Sequence, residues 1–352
     1  MMTLRRLHNA CLLRPEDVEP SRPDFEVLGV FNPGAAEAGG DVLLMARVAE
    51  APAAEREGGV ALPRWDPVDG LVADWLPEDA VEPEDPRVVL VKADRRLRLT
   101  SVSHLRVYRC PAGREVAEEV GRFVPRAEWE QYGVEDPRIV FMDGRFHFTY
   151  VAVSEHGAAT ALASTEDFAT FERHGIIFPP ENKDVVLFPE RMDGEYVALH
   201  RPNPRMHFSA PGMWLARSPD LIHWGGHEPL HAGSAPWETG RIGAGPPPIA
   251  TERGWLEVYH GMAPSPEPGV VGTYSAGLLL LDRDDPGKVL YRADEPILTP
   301  EADFEREGFV PSVVFPTGIV RRDDVLQIYY GAADTAVGLV ELSLDEATAS
   351  MG

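Results

Sequence analysis

The sequence contains little cysteine, and its basic residues are outnumbered by acidic ones. Two cysteines, Cys11 and Cys110, among 352 residues give no disulfide framework and no four-ligand zinc site, and we expect both to be buried and reduced. Asp and Glu number 57 against 33 Lys and Arg, for a formal net charge of −24. Nucleic acid and anionic membranes repel such a surface, so neither is expected as a partner.

Long apolar runs are also missing. No stretch approaches the roughly 18 apolar residues of a membrane-spanning helix. The first 13 residues carry Arg5 and Arg6 but lack the apolar run of a signal peptide, so we expect a soluble cytoplasmic protein. Hydrophobic residues make up 44% of the chain, which is enough for a folded core and excludes disorder as its main state.

Helical periodicity is scarce, whereas Gly and Pro number 32 and 33 and favour tight turns. Five segments share one layout, in which a proline precedes an apolar run, a turn such as Asp-Gly, and a second β-like run. They span residues 32–47, 136–150, 188–200, 247–260 and 315–330. A second repeat supports the period, because residues 165–171 resemble residues 218–224, which lie 53 positions later.

A hairpin-built unit that recurs every 50 to 70 residues is typical of a β-propeller. We therefore predict an all-β fold, a five-bladed β-propeller forming one domain over residues 1–352. Residues 1–25 are an N-terminal extension and 343–352 a C-terminal tail. Residues 50–94, rich in Pro, Ala and acidic residues, are predicted to be a surface excursion. A large β-sandwich with chance similarity between turns is the alternative.

In a propeller the first strand of each blade lines the central channel, so the residues at the starts of these strands meet at one mouth. The predicted mouth contains Asn32, Asp136, Lys183–Phe188, Ala244–Pro247 and Pro311. The glycines within Gly243–Gly245 are expected to let the backbone approach a ligand, because glycine has no side chain to obstruct it.

Asp136 is the candidate acid at this mouth. It lies in the sequence Glu135-Asp136-Pro137-Arg138, where the following proline biases it to an extended backbone. A rigid carboxyl beside Arg138 suits an acid or a sugar-binding group. An Asx-type turn is the structural alternative.

Four positive or potentially positive residues occupy similar places in the repeats. Lys183 and Arg241 precede units, whereas Arg201 and His260 follow second strands. Arginine forks and lysine charges suit phosphate oxygens, so these four residues are a candidate anion pocket in an acidic protein. Salt bridges to local acids such as Asp184 and Glu238 are the alternative. No spacing of His, Cys, Asp and Glu indicates a metal site.

Several motifs together resemble glycoside hydrolase family 130, which contains β-mannoside phosphorylases and β-mannosidases. The resemblance runs from about Phe31 to Leu342. It is carried by residues 32–34, 135–138, 183–190, 199–202, 242–249, 254–256, 259–261 and 329–335. It implies a five-bladed propeller and inverting cleavage of a terminal β-mannosidic bond. In the phosphorylases, inorganic phosphate attacks the anomeric carbon and α-mannose 1-phosphate is released.

The resemblance also implies roles for individual residues. Asp136 matches the catalytic acid, which is thought to act through the mannose 3-hydroxyl. The phosphate-binding positions fall on Lys183, Arg201, Arg241 and His260. The positions that hold the mannose fall on Asn32, Arg47 and Asp334, with Tyr274 a weaker match. Phosphate is then a co-substrate, and no other cofactor is expected.

Phosphorolysis suits these residues better than hydrolysis, because an inverting hydrolase needs a second carboxylate to activate water. A β-mannosidase with Glu190, Glu238 or Glu257 as base remains an alternative, as does a non-catalytic sugar-binding propeller. The linkage, β-1,4 or β-1,2, and the acceptor sugar stay open. The N-terminal segment either closes the ring or mediates homo-oligomerisation.

Overall fold

The protein is described by a computed structural model that covers residues 4–203, 208–267 and 270–351. Within these ranges its regular structure is mostly β-strand, with only two short α-helices, α1 (Asp303–Arg306) and α2 (Leu344–Ala349). Single turns of 3-10 helix lie at Pro15–Asp17, Glu78–Ala80, Pro111–Gly113, Glu128–Glu130 and Pro236–Glu238. The all-β class predicted from the sequence is therefore confirmed. None of the described helices is long and apolar enough to cross a membrane.

The strands follow one another along the chain with short connections. The first ten are β1 (His8–Leu13), β2 (Phe25–Ala38), β3 (Asp41–Pro52), β4 (Gly59–Asp66), β5 (Gly70–Pro77), β6 (Val81–Asp85), β7 (Val88–Val91), β8 (Arg96–Leu99), β9 (Val102–Cys110) and β10 (Glu118–Phe123). The next eight are β11 (Gly133–Met142), β12 (Arg145–Ser154), β13 (Gly157–Thr165), β14 (Glu172–Phe178), β15 (Asn182–Leu187), β16 (Tyr196–Pro202), β17 (Met213–Ser218) and β18 (Gly225–His231). The last eight are β19 (Arg241–Ala244), β20 (Ile249–Thr251), β21 (Gly254–Ala263), β22 (Thr273–Leu281), β23 (Val289–Arg292), β24 (Val314–Arg322), β25 (Val325–Ala332) and β26 (Ala336–Ser343).

All of these strands except β4 to β8 form five antiparallel groups, which we call units 1 to 5. Unit 1 is β2-β3-β9-β10, unit 2 is β11 to β14, and unit 3 is β15 to β18. Unit 4 is β19-β21-β22-β23, with β20 also paired to β21, and unit 5 is β24-β25-β26-β1. Units 1 and 2 are joined by a single parallel pairing between Gly133 and Ser103. The N-terminal strand β1 therefore completes the last unit, by pairing with β26.

Apolar side chains pack each unit onto the next. Units 1 and 2 share a cluster that includes Leu105 and Phe148, and similar clusters join units 2 and 3, units 3 and 4, and units 4 and 5. Unit 5 also packs on unit 1, through a cluster that contains Tyr329 and Leu44. The C-terminal helix α2 adds Leu344 and Ala347 to the core between units 4 and 5. Burial of these faces explains the near-continuous apolar runs of the strands.

The predicted two-residue hairpin turns are present. Asp143 and Gly144 have φ angles of 52° and 82° between β11 and β12, as a type I′ turn requires. The repeat at residues 165–171 and 218–224 is also confirmed as structure. Asp167 and Asp220 each accept two backbone N–H bonds from the residues two and three positions later.

One part of the repeat alignment was wrong. Prolines were used to align the units, which placed Pro189 opposite Pro137. The strand register instead aligns a β-bulge in the first strand of units 1, 2, 3 and 5, and in unit 3 this bulge lies between Lys183 and Val186. Asp184 is therefore the counterpart of Asp136, because the bulge, and not the proline, fixes the geometry of the strand.

The segment predicted as a surface excursion folds into two small sheets, β4-β5 and β6-β7-β8. It is not confined to the surface, since Arg87 and Val88, at the turn between β6 and β7, line the main cavity described below. Both cysteines are free. Cys110 is buried, as predicted, whereas Cys11 is only partly buried. Trp224 and Trp255 pack in the apolar clusters between neighbouring units.

Three buried glutamates form a further repeat that the sequence analysis missed. Each follows the pattern Ala-x-Trp/Phe-Glu and bonds to two backbone N–H groups, a tyrosine hydroxyl and an arginine. We call these groups the glutamate clasps: Glu130–Tyr150–Arg173, Glu238–Tyr259–Arg292 and Glu305–Tyr330–Arg6. Each ties the loop before a unit to strands within it.

Candidate active site

A cavity of about 330 Å³ lies where the first strands of the units bulge. Its size is at the lower end of the range for small-molecule sites, roughly 300–1,000 Å³. Eight of the nine site residues predicted from the sequence line it: Asn32, Arg47, Asp136, Lys183, Arg201, Arg241, Tyr274 and Asp334. The ninth, His260, is fully buried and lies directly behind Arg201.

Three polar residues in this region have a strained, left-handed backbone conformation. Asn32, Asp136 and Asp184 occupy the bulges of units 1, 2 and 3, with φ angles of 47°, 50° and 53°. Left-handed backbone is unfavourable for residues other than glycine, although Asn and Asp tolerate it best. Such strain concentrates at functional sites, where the surrounding structure holds it in place.

Asp136, in unit 2, is held by groups from units 1 and 3 and is only 3% exposed. Asn32 Nδ2 donates to its Oδ1 at 2.9 Å, and Arg47 Nη1 donates to the same oxygen at 3.1 Å. Lys183 Nζ lies 3.9 Å from the other oxygen, Oδ2. Arg47 also binds Glu135 Oε1 at 2.9 Å, so its guanidinium spans two neighbouring carboxylates.

These neighbours decide the ionisation of Asp136. Burial alone would raise its pKa, but the charges of Arg47, Lys183 and Arg138 and the hydrogen bond from Asn32 hold the pKa below its ordinary value. The carboxyl is therefore ionised at neutral pH when no ligand is bound.

Two of the four predicted phosphate-binding residues, Arg201 and His260, contact Asp184. Arg201 Nη1 lies 2.6 Å from Asp184 Oδ2, and His260 Nε2 lies 3.3 Å from the same atom. Arg241 is different, because its buried Nε has no hydrogen-bond partner among the described residues. The suggested salt bridge with Asp184 is therefore present for Arg201. Glu238, the other suggested partner, belongs to a glutamate clasp instead.

His260 is a neutral imidazole in this setting. Burial lowers its pKa to about 4, and the nearby Asp184 only partly offsets this effect. His260 therefore adds no positive charge to the site at neutral pH. Among the described residues, five cations and four carboxylates line the cavity, namely Arg47, Arg87, Lys183, Arg201 and Arg241 with Glu135, Asp136, Asp184 and Asp334.

Arg138 links the acid to the phosphate-binding residues, a role that sequence reasoning missed. Its Nη1 donates to the backbone oxygen of Asp136 at 3.1 Å, and its Nη2 to Asp184 Oδ1 at 3.3 Å. Its Nε donates to the carbonyl of Gly245 at 3.4 Å. Arg138 is 2% exposed and does not line the cavity, so it supports the site residues from within the protein.

Asp334 and Tyr274 lie on the unit 4 and unit 5 side of the cavity. Burial raises the pKa of Asp334 to about 6, despite the nearby charge of Arg47. The ring of Tyr274 packs 5.9 Å from Phe315, which in turn lies 4.3 Å from His260. Phe315 lines the cavity and was not predicted, although it directly precedes the repeat proline Pro316.

Gly243 and Gly245 lack a side chain because neighbouring protein atoms leave no room for a Cβ. A Cβ on Gly243 would lie 2.4 Å from Asp184 Oδ2, and one on Gly245 would lie 2.2 Å from the carbonyl oxygen of Val258. Their close approach is to neighbouring strands and to Asp184, which corrects the expectation of contact with a ligand. Neither glycine lines the cavity.

The candidate bases for hydrolysis lie away from the cavity. Glu238 is held in its clasp, and Glu190 pairs with Arg283 at 2.6 Å. Glu257 is buried beneath the site, where its Oε1 accepts the N–H of Gly245 at 3.1 Å and burial raises its pKa well above the ordinary value. None of the three lines the cavity. Among the described residues no cluster of His, Cys, Asp and Glu could hold a metal ion.

Comparison with known proteins gives the family. A family model described as beta-1,4-mannooligosaccharide phosphorylase matches residues 113–351. A beta-1,2-mannobiose phosphorylase from Listeria innocua is 39% identical over 98% of this chain and 97% of its own length. The chain belongs to glycoside hydrolase family 130.

Structural similarity agrees with this assignment. The Listeria innocua enzyme, solved in complex with beta-1,2-mannobiose, superimposes with a TM-score of 0.88 over 97% of this chain and 96% of that one. A 1,2-beta-oligomannan phosphorylase from a Thermoanaerobacter species is 39% identical over 62% of this chain and 71% of its own. The family resemblance noted in the sequence is confirmed. The roles of individual residues stay predictions.

Proposed function

We propose that this protein is an inverting β-mannoside phosphorylase. One observation carries the proposal: a buried carboxyl group, that of Asp136, lies 3.9 Å from Lys183, in the same cavity as Arg201 and Arg241. An acid beside a group of cations is what phosphorolysis requires, because phosphate arrives as an anionic nucleophile and has to be held in line. The names of the full-length relatives support this conclusion.

We infer that the five units form a closed five-bladed propeller in a single catalytic domain. The packing of each unit on the next, and of unit 5 on unit 1, supports this arrangement. The pairing of β1 with β26 supports closure by the N-terminal strand. Such a ring would bring the bulges of units 1, 2 and 3 to one mouth.

The proposed residue roles follow from these contacts. Asn32, Arg47, Asp334 and Tyr274 hold the terminal mannose. Lys183, Arg201 and Arg241 hold phosphate, and His260 supports Arg201 from behind. A phosphate oxygen attacks the anomeric carbon as the bond to the leaving oxygen breaks. Asp136 supplies the proton that the leaving oxygen takes up, through the mannose 3-hydroxyl. The products are α-mannose 1-phosphate and the shortened sugar.

This mechanism needs Asp136 to be protonated, whereas its neighbours keep it ionised in the free protein. Phosphate resolves the conflict. A dianion bound beside Lys183 offsets the positive charge that lowers the pKa of Asp136, and the pKa then rises. Phosphate binding would therefore favour uptake of the proton that the reaction later delivers.

We propose β-1,2-linked mannosides as the preferred substrates, because the full-length relative is named for beta-1,2-mannobiose. The test is to incubate the protein with β-1,2- and β-1,4-mannobiose, with and without phosphate, and to follow mannose and mannose 1-phosphate separately. We expect mannose 1-phosphate from the β-1,2 sugar only when phosphate is present. Release of free mannose at a rate indifferent to phosphate would favour a β-mannosidase.

A further inference from the structure

Glu257 is a fully buried acid that the proposed mechanism does not use. It lies on β21, and its Oε1 accepts the backbone N–H of Gly245 at 3.1 Å. Its other oxygen, Oε2, is buried and has no hydrogen-bond partner among the described residues. Burial of an unsatisfied polar atom costs free energy, so a carboxyl group kept in this place is expected to have a role.

The carboxyl group of Glu257 is neutral. Burial raises its pKa well above the ordinary value, and the N–H of Gly245 and the charge of Arg138 offset this effect only in part. A neutral carboxyl does not compete with Asp184 for the positive charge of Arg138. The guanidinium therefore keeps its charge for Asp184, whose Oδ1 accepts from Arg138 Nη2 at 3.3 Å.

Gly245 connects Glu257 to Arg138. This glycine lies one residue beyond the end of β19, so the carboxyl of Glu257 takes the place of a strand partner for its N–H. The carbonyl oxygen of the same glycine accepts from Arg138 Nε at 3.4 Å. Both polar groups of Gly245 are thus held by buried side chains, one on each side of the glycine.

Arg138 carries this constraint to the two aspartates of the site. Its Nη1 donates to the backbone oxygen of Asp136 at 3.1 Å, while its Nη2 binds Asp184. Both aspartates have the strained backbone of a bulge, which persists only where the surrounding contacts hold it. Because a guanidinium is a rigid, planar fork, the bond to Gly245 also fixes the direction of the other two contacts.

We propose that Glu257 is a positioning residue for the candidate site, which holds Asp136 and Asp184 in place through Gly245 and Arg138. This inference rests on the proposed function and deepens it, since it assigns a residue that supports the acid without touching a ligand. Glu257 acts as a hydrogen-bond acceptor for the backbone, and neither gives nor takes the proton of the reaction.

The experiment replaces Glu257 in two ways and measures kcat and both KM values on the mannobiose that the protein cleaves. Glu257→Gln keeps the shape of the side chain and the oxygen that accepts from Gly245, and it is neutral as the buried acid is. Glu257→Met fills a similar volume without that oxygen. Gln327→Met is the matched control, because Gln327 is also a buried polar residue in the second strand of a unit. Neither it nor its hydrogen-bond partners, Ala112, Tyr329 and Glu341, line the cavity.

We expect Glu257→Gln to keep at least half of the natural kcat. Glu257→Met should lower kcat at least tenfold, because displacement of a reacting group by about 1 Å costs about 100-fold. KM for the mannoside should change less than threefold in both variants. Gln327→Met should lower stability in denaturant unfolding and keep kcat within threefold of the natural value.

A double-mutant cycle tests the connection through Arg138. Arg138→Lys keeps the positive charge and loses the fork that contacts Gly245, Asp136 and Asp184. If one chain of contacts joins the two residues, kcat of the double variant with Glu257→Met should lie within threefold of the slower single variant. Losses that multiply would show independent action and overturn the proposal.

A Glu257→Met protein that keeps a third or more of the natural kcat would overturn this inference and leave the proposed function standing. So would a tenfold loss of kcat in folded Glu257→Gln, since an equivalent acceptor would then not suffice. If Glu257→Met did not fold, Glu257 would be needed for the fold itself, which would also overturn a positioning role. Absence of phosphorolysis in the natural protein would overturn the proposed function and this inference with it.

Discussion

Two sets of buried carboxylates differ in how their charges are satisfied. In the glutamate clasps, Glu130, Glu238 and Glu305 are each 0% exposed, and each bonds to two backbone N–H groups, a tyrosine and an arginine. In the active-site cavity, Asp136 and Asp184 share their oxygens among cations that also face open space. Burial with complete local pairing indicates a structural group, whereas burial beside a cavity with surplus cations indicates a binding site.

The largest effect should come from the acid itself. We expect Asp136→Asn to lower kcat for phosphorolysis by a factor of about 100 to 10,000, because an amide cannot donate the proton that the leaving oxygen needs. The rate is measured as mannose 1-phosphate formed, and melting curves check that the variant folds. Asp193→Asn, in an exposed hairpin turn, is the control. A variant that retains at least a third of the natural kcat would remove Asp136 from the mechanism.

The cations should affect phosphate more than mannoside. Arg241→Ala removes a guanidinium that lines the cavity and whose Nε has no described partner, so we expect KM for phosphate to rise about 10- to 100-fold. KM for the mannoside should change less than threefold, and both constants come from initial rates. Arg321→Ala, on the exposed surface, should change neither constant.

Arg201→Ala sharpens this prediction, because Arg201 is also the partner of buried Asp184 at 2.6 Å. Its loss leaves a buried carboxylate short of a cation, so stability should fall along with phosphate use. Equal rises in KM for phosphate and for mannoside in Arg241→Ala would contradict a role in phosphate binding.

Substitutions in the glutamate clasps should lower stability and leave activity unchanged, in contrast to substitutions at the candidate site. Glu130→Gln keeps the shape of the side chain but loses charge-assisted bonds to Tyr150, Arg173 and two backbone N–H groups. We expect the free energy of unfolding to fall by about 1–3 kcal/mol, with kcat unchanged. Denaturant unfolding and the phosphorolysis rate test both expectations.

Glu128→Gln is the matched control for this variant, because Glu128 is exposed in the same turn of 3-10 helix. If Glu130→Gln lowered kcat tenfold without loss of stability, the division between structural and functional carboxylates would be wrong.

The sequence predicted the all-β fold and most of the polar residues that line the cavity better than their local geometry. The hairpin turns at Asp143–Gly144 and the motif around Asp136 are local patterns, and local patterns survive in a single sequence. The register of unit 3 was wrong, because a bulge adds residues without a distinctive sequence pattern. Arg138 and Phe315 were missed as parts of the site because their roles depend on contacts between units.

The clasps were missed for another reason. Their pattern, Ala-x-Trp/Phe-Glu, does recur at residues 127–130, 235–238 and 302–305, and could have been found. A search for repeated hairpins does not find it, since it lies in the loops before the units. No sequence pattern indicates that Arg87 lines the cavity, because its position depends on how the segment predicted as a surface excursion packs against the rest of the protein.

The smallest expected effect is on the stability of the protein when Asp334 is replaced. Its sign should distinguish Asp334 from the clasp glutamates. The pKa of Asp334 is raised to about 6, above the value of about 4 expected in the unfolded chain. The folded state therefore favours the protonated carboxyl, and this contribution to stability is present below pH 4 and lost as the pH rises through 6. Replacement by a neutral amide removes the penalty at high pH.

Asp334→Asn should thus be more stable than the natural protein at pH 8, by at most about 3 kcal/mol, and equally stable at pH 4. Asp323→Asn is the control, since Asp323 has a similar φ angle, 53° against 49°, but is exposed in a turn. Denaturant unfolding at the two pH values measures the difference. If the variant were less stable than the natural protein at pH 8, the Asp334 carboxylate would be stabilised by its neighbours, as the clasp glutamates are. The idea that this carboxylate lowers stability and is kept for binding sugar would then be wrong.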